Sequence, residues 1–563
     1  MRVSDREQTA AEPGARGVRF FGILAAIFFA VIFALVFFTS GAVEYACRFT
    51  FTANRQLLFS ALGAVVFFVA CFACRIAVFY ARPHVSNPER AWRILVAVTC
   101  IALLCYQALV VSGAWFKTDW DARALAAVDD PESIRIYLSR YPNQLFLYGL
   151  FQGICALGRA LGSPDTYLTQ ILGSCLCVTL SVFFAAHAAR SIGGLRVGIV
   201  ALAVMCVLVG ASPWMLVPYS DTYGMMCPSV ALWLYAAHRD RPAAWLGIAF
   251  ASVVGYAIKP TSIFILCAVL FVEGIRLAGR VLARRRSRRA VRSEQAETAE
   301  DREVEKPAGG RGAHRAVWFT AAVVAGALAA SLITGAVDSS ERSSIGIDSE
   351  LSFSMSHYLM MGINTDTMGI YNNDDVHLSS DCNSQAERSA MNIKVWKERM
   401  AKLGPAGLAH LYHQKLLTAF ADGTFAWSVE GEFWIEMHGD NAAIKSYYGI
   451  GNFNRVDPNA QNGMWFQVVT QTLWLASLMG IVALGFSRKL DAKTVAPMLA
   501  VSALALFLMV FETRSRYLFL YAPYFCILGI LGWTTLTDRA SAWLASLANE
   551  TPTKAWSSQQ DPI

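Results

Sequence analysis

Charged residues make up only 16% of this 563-residue chain, against about 25% in an average soluble protein. With 55% of its residues hydrophobic, the composition excludes a conventional cytosolic enzyme, a disordered chain, a coiled coil and a disulfide-stapled secreted module. Other absences narrow the field further. No Gly-rich phosphate-cradling loop or Walker pattern occurs, so ATP-driven transport has no support. No serine nucleophile elbow occurs either. The internal repeat common in transporters is missing. The net charge of +7 does not point to nucleic acid, because the surplus falls in loops of cytoplasmic type.

What the chain has instead is a series of apolar runs, each about 20 residues and long enough to cross a hydrocarbon core of roughly 30 Å. Twelve spans are expected: Phe20–Ser40, Leu57–Tyr80, Ile94–Gly113, Thr169–Ala189, Val197–Leu216, Met225–His238, Leu246–Ile258, Ile263–Gly279, Ala316–Ala336, Met464–Phe486, Pro497–Phe511 and Leu518–Thr535. The predicted class is an all-α polytopic membrane protein. The first run follows Arg2, Arg6, Arg16 and Arg19 and lacks a small-residue cleavage site, so it reads as an uncleaved span. Cysteines such as Cys71, Cys100 and Cys175 sit inside apolar runs and read as buried thiols. Cys47 and Cys382 fall in loops placed outside, where a pair could form.

Arginines set the orientation. If Leu145–Leu161 crossed the membrane, Arg190, Arg196, Arg239, Arg241 and the cluster Arg284–Arg292 would face outward. If it lies in the outer interface, these face the cytoplasm together with Arg82, Arg90, Arg93, Arg488 and Lys489. Its short length and Arg159 suit an interfacial helix. Both termini are then cytoplasmic. The expected organisation is a tail plus two added spans (1–93), a membrane core (94–279) with an outer loop (114–144), a disordered cytoplasmic linker (280–315), one span (316–336), a folded extracytoplasmic segment of mixed structure (337–463), three spans (464–535) and a tail (536–563).

Ionisable residues gather on the outer side of this scheme: Lys117, Asp119, Asp121 and Arg123; Asp221 beside Tyr219; Lys259; and Glu512, Arg514 and Arg516. Each alone reads as a solvated turn. Together, carboxylates and cations at one membrane depth suit transfer of a sugar from a lipid phosphate. A carboxylate takes the attacking hydroxyl's proton. Fixed cations offset charge growing on the departing phosphate.

In the long outer segment, Asp366, Asp374, Asp375 and Asp381 suit oxygen-ligated calcium in composition but lack the spaced calcium-loop pattern, so a polar loop is the plainer reading. His410 and His413 lack a third placed zinc ligand. Trp427, Phe433 and Trp434 read equally as sugar-stacking or membrane-interface aromatics.

These residues resemble the GT-C superfamily of membrane glycosyltransferases, which includes protein O-mannosyltransferases and the lipid A aminoarabinose transferase. More closely, the chain resembles an uncharacterised integral-membrane family of Gram-positive bacteria related to the mannosyltransferases. The resemblance rests on Trp120-Asp121-Ala122, Ser139-Arg140-Tyr141-Pro142-Asn143-Gln144, Pro218-Tyr219-Ser220-Asp221-Thr222, Tyr256-Ala257-Ile258-Lys259-Pro260-Thr261, Tyr371-Asn372-Asn373-Asp374-Asp375, Asp422-Gly423-Thr424-Phe425 and Arg514-Ser515-Arg516-Tyr517-Leu518. It spans about residues 94 to 535.

The resemblance implies a glycosyltransferase of the bacterial plasma membrane that uses a polyprenyl-phosphate sugar and an envelope glycan, lipid or protein acceptor. Asp121 would be the base, with Asp119 its rival, and Asp221 would support the site. Lys259, Arg514, Arg516 and Tyr517 would hold the donor phosphate, and Tyr141, Asn143, Tyr219 and Trp427 would contact substrate. A divalent metal on Asp119 and Asp221 is the only cofactor to consider, and nucleic acid is not an expected partner. The first loop lacks the adjacent Asp-Glu pair of protein O-mannosyltransferases, and Tyr141-Pro142-Asn143 lacks the superfamily's second proline. Rival readings are a surface-polysaccharide polymerase or ligase, a flippase of lipid-linked glycan, and a non-catalytic envelope scaffold.

Overall fold

The computed structural model describes residues 14–44, 53–118, 121–163, 165–297, 310–427, 434–450, 464–487 and 490–550. These form an almost entirely helical, polytopic bundle. In chain order the helices are α1 (Ala15–Thr39), α2 (Ala53–Ala81), α3 (Pro88–Gly113), α4 (Asp121–Ala126), α5 (Pro131–Arg140), α6 (Leu145–Ala160), α7 (Thr166–Gly193), α8 (Leu195–Met205), α9 (Ser220–Gly224), α10 (Met226–His238), α11 (Pro242–Ile258), α12 (Phe264–Glu297) and α13 (Gly310–Ile345). They continue as α14 (Met355–Met361), α15 (Asn373–Ser380), α16 (Gln385–Phe420), α17 (Ala442–Tyr448), α18 (Met464–Leu484), α19 (Ala492–Val510) and α20 (Ala522–Glu550).

Among the described residues, nine helices are long and apolar enough to cross a membrane, and two shorter apolar ones, Leu195–Gly210 and Pro242–Ile258, accompany them. The remaining expected span corresponds to α10, a 13-residue helix. At 1.5 Å per residue it is about 20 Å long, short of a full crossing, and it packs between α7 and α11.

Sequence patterning explains which faces meet. In α1, Val18, Gly22, Ala25, Phe29, Ile32 and Val36 are buried while Phe20, Leu24, Ile27, Val31 and Phe38 are exposed. Residues three and four apart share a helix face, so one stripe packs inward and the other is left for lipid. The apolar stretch of α20 is buried throughout, against α18, α2 and α8, which makes it the central helix.

The α6 helix is 16 residues long and packs on α7 and α13. The Arg-bearing ends of the helices lie at one end of the bundle. There Arg190 pairs with Glu89 at the start of α3 (Nη1 to Oε2, 3.0 Å), and Arg196 pairs with Asp538 of α20 (2.7 Å). The opposite end of α3 leads into the loops described next.

Two expectations change here. The stretch from Arg280 is helical through Glu297 as a direct extension of α12, and Gly310–Arg315 already belongs to α13. Arg, Ala, Glu and Gln are all good helix formers, so a composition that suggests a solvated linker also sustains a helix. The second concerns 337–463. Its first residues extend α13 to Ile345, and its described remainder is laced into the bundle end, with α16 packed on α1 and α19. A short strand, β1 (Trp115–Thr118), pairs antiparallel with β2 (Trp434–His438), joining the first loop to the long segment. Lys117 meets Glu436 at 3.0 Å across this ribbon, and Trp115 stacks on His438 with ring centroids 3.8 Å apart.

Of the acidic residues in the long segment, Asp375 serves the segment's own fold. Asp375 takes a bidentate contact from Arg399 (2.6 and 3.1 Å) and a bond from Asn364, and Asn372 caps α15. Among the described residues, no three His, Cys, Asp or Glu side chains gather as a metal site. His410 pairs with Glu44 and His413 bonds Thr39, so the two histidines have separate partners. Cys382 is a free thiol, and Cys47 lies outside the described residues. Phe433 also lies outside them.

Candidate active site

The end of the bundle opposite the Arg-bearing helix ends gathers side chains from four separate loops. Asp121 opens α4, three residues after the end of β1, and is half-buried. Asp221 sits in α9 and is buried. Lys259 closes α11. Pro260 disfavours helical backbone at the residue before it, so Lys259 is extended (φ −147°, ψ 115°) and its amine turns inward. Glu512, Arg514 and Arg516 follow the end of α19, where Phe511 and Arg514 are both extended. In an extended chain alternate residues share a face, which relates Glu512 to Arg514, while Arg516 lies in the 3-10 turn Ser515–Tyr521 that follows.

Tyr219 stands at the centre. Its hydroxyl donates to Asp121 Oδ2 at 3.3 Å and accepts from Gln144 Nε2 at 3.4 Å. The Arg516 guanidinium lies over its ring at 5.0 Å, and over Tyr517 and Trp214 at 5.7 Å each. Arg516 also faces Asp221 at 3.9 Å. Lys259 Nζ donates to Asp221 Oδ1 and lies 4.6 Å over the Tyr517 ring. Glu512 Oε1 accepts from Tyr517 (2.8 Å) and Arg514 Nε (3.3 Å), and Arg514 lies 5.5 Å over Tyr371.

Burial dominates the electrostatics. It pushes the Asp121 carboxyl above its ordinary value, with Glu512 adding to the rise. Arg516, the Tyr219 hydroxyl and Arg514 oppose it. Burial draws the Lys259 amine below its ordinary value, chiefly opposed by the Asp221 carboxylate. Tyr141 is raised by burial and by Asp121, which places its phenol in the field of the same carboxylate.

The structure thus brings together Asp121, Asp221, Lys259, Arg514, Arg516, Tyr517, Tyr219 and Tyr141. Asp119 lies outside the described residues. Asp221, considered with it as a metal ligand, is committed to two cations, Lys259 and Arg516, which neutralise the charge a metal would need. Asn143 is exposed in the turn before α6. Trp427 is only 1% exposed, donates to the Tyr448 carbonyl at 2.9 Å and packs on Phe116 and Trp214. It lies behind the site with no ring face free for a sugar.

Sequence reasoning left Glu512 and Tyr371 without a role, and missed Tyr137 and Tyr358; the three tyrosines share the field of Asp121. The alternation Glu512-x-Arg514-x-Arg516 is the signal that could have found the first. No spacing signal marks the tyrosines.

A family model described as a conserved hypothetical integral membrane protein matches residues 18–537. None of the curated proteins compared matches the chain. Among solved structures, ArnT from Cupriavidus metallidurans bound to undecaprenyl phosphate aligns over 83% of this chain and 81% of that one, at 13% identity and a TM-score of 0.26. That likeness is too slight to carry any statement about this chain. The family match covers nearly all of the helical bundle, and the chain belongs to this family of conserved hypothetical integral membrane proteins.

Proposed function

We propose that the protein is a membrane glycosyltransferase of GT-C type. It moves a sugar from a polyprenyl-phosphate donor to a hydroxyl of an envelope acceptor on the outer face of a bacterial plasma membrane. The observation that carries this reading is the convergence of Asp121 and Arg516 on Tyr219, one at its hydroxyl and one over its ring. A proton acceptor and a phosphate-binding cation then meet at one site, the two groups that transfer of a sugar from a lipid phosphate calls for. The arginine-bearing helix ends lie at the far end of the bundle, which supports the outward orientation of the site.

In the proposed reaction the acceptor hydroxyl attacks the anomeric carbon as its proton passes to Asp121. The new bond is acceptor oxygen to carbon. The bond broken is carbon to phosphate oxygen, whose electron pair leaves with polyprenyl phosphate. Attack and departure on opposite faces invert the anomeric centre and need one base only. A carboxyl raised by burial is a stronger base than an ordinary aspartate, which suits the role. Arg516 and Arg514 receive the departing charge, and Lys259 sets Arg516 by occupying Asp221. Asp221 already faces two cations, Lys259 and Arg516, and serves here as their counter-charge.

The test is a knockout complemented with wild type, Asp121→Asn or Asp119→Asn at matched membrane levels, with envelope glycans read by mass spectrometry. A sugar decoration should vanish in the knockout and return with wild type but not with Asp121→Asn. Full restoration by both variants overturns the proposal.

A further inference from the structure

The described part of the segment between α13 and α18 is tied to the site by direct contacts. Its residues hold the backbone of the stretch that carries Glu512, Arg514 and Arg516, and Lys415 is the centre of the hold. Lys415 lies in α16 with no solvent exposure. Its ammonium donates to three carbonyls: Gly362 at 2.6 Å, Phe511 at 2.7 Å and Met509 at 2.9 Å. An ammonium has three hydrogens, so this cage uses each of them once. It joins the loop after α14 to the last turn of α19 and the residue just before Glu512.

Neighbouring contacts extend the hold. The Thr513 amide donates to the Gly369 carbonyl at 2.9 Å, and Ser515 Oγ donates to the Asp422 carbonyl at 3.1 Å. Phe511, Thr513 and Ser515 are therefore tied to the long segment, while Glu512 and Arg514 between them and Arg516 just after them face the site. The fit is close. A Cβ on Gly362 would stand 2.6 Å from the Phe511 carbonyl carbon, and Gly369 has a φ of +77° with the Lys415 Cε 3.0 Å from its would-be Cβ.

A lysine so deeply buried needs a reason to stay. Burial draws its pKa down to about 7, with Glu512 the one charge opposing that fall. A lone carbonyl contact would be served as well by a neutral side chain, whereas three convergent carbonyls require a donor with three hydrogens.

We propose that Lys415 is a positioning residue that fixes the register of the Phe511–Arg516 backbone and so aims Arg514 and Arg516 at the donor phosphate. This rests on the reading of those arginines as holders of the phosphate. The register itself is a separate matter and is measured separately.

The experiment uses the full chain in lipid nanodiscs of phosphatidylethanolamine and phosphatidylglycerol. Hydrogen–deuterium exchange and binding of undecaprenyl phosphate are compared for wild type, Lys415→Met and, as a surface control on the same helix, His410→Ala. In Lys415→Met, amides of 509–516 and 362–370 should exchange roughly tenfold faster or more while the transmembrane helices stay as protected as in wild type. Binding of undecaprenyl phosphate should weaken by roughly tenfold or more, with His410→Ala unchanged. Lys415→Gln, which keeps two N–H donors, should give a smaller change in the same peptides, and it replaces the Met variant should that fail to reach the membrane.

Unchanged exchange at 509–516, or a rise spread evenly over the chain, overturns the proposal. So does local loosening with binding intact. If wild type itself does not bind undecaprenyl phosphate, the donor reading fails, and the exchange data alone decide whether Lys415 sets the backbone register.

Discussion

The Tyr219 hydroxyl donates to Asp121 across 98 residues of sequence, joining the first loop of the membrane core to the second. The bond orients the carboxylate that would take the acceptor proton and lowers its pKa against the rise caused by burial.

Tyr219→Phe should therefore leave the fold intact and cut turnover by roughly tenfold, less than the 10²–10⁴-fold or so expected if Asp121→Asn removes the proposed general base. Quantifying the transferred sugar in membranes from matched strains checks the ranking. Equal loss in both variants would assign Tyr219 a second role.

The acid limb of the pH profile gives a signed test. As the proposed base, Asp121 would work only when ionised, and its folded pKa lies above its ordinary value, so activity should fall as pH drops through that raised value. Arg516→Gln removes the largest opposing influence and should move the limb to higher pH. Glu512→Gln removes a like charge and should move it to lower pH. The stability linkage runs the other way: a carboxyl raised on folding favours the folded state at low pH, and that contribution is lost as pH rises through the folded value. Shifts of kcat/KM in the same direction for both variants would mean that Asp121 is not the group titrating.

Asp221 and Lys259 form a buried pair whose members depend on each other. Lys259→Met leaves the carboxylate with Arg516 alone, and should destabilise the protein by about 3–5 kcal/mol, the usual cost of breaking a buried pair from one side. Adding Asp221→Asn to that variant should recover much of the loss, because neighbouring substitutions do not add. Thermal unfolding in nanodiscs measures both, and strict additivity would count against the pairing.

Much of this molecule is readable from its sequence for physical reasons that differ from part to part. Nine of the expected spans are long apolar helices because a 20-residue apolar run has few other ways to satisfy its backbone in lipid. Asp121, Asp221, Lys259, Arg514 and Arg516 converge because polar residues are costly at membrane depth and collect where loops meet. The β1–β2 ribbon was not readable: Trp115–Thr118 and Trp434–His438 are short, more than 300 residues apart, and paired only by tertiary contact. The helical extension of α12 through Glu297 was masked by composition, since arginine and glutamate mark solvated chain and good helix alike. Trp427 illustrates a different limit. An aromatic near the membrane surface has the same local sequence whether its ring meets a sugar or, as here, Phe116 and Trp214.

Trp214 has one more consequence. Its indole N–H is held by the Thr424 and Phe425 carbonyls at 3.3 and 3.0 Å, and its ring lies under the Arg516 guanidinium at 5.7 Å. Indole emission responds to nearby charge, so an anion that captures Arg516 must alter the light this one side chain emits. Subtracting the spectrum of Trp214→Phe isolates that signal from the rest of the 15 tryptophans. The protein thereby carries its own optical readout of occupancy, usable before either the sugar or its acceptor has been identified.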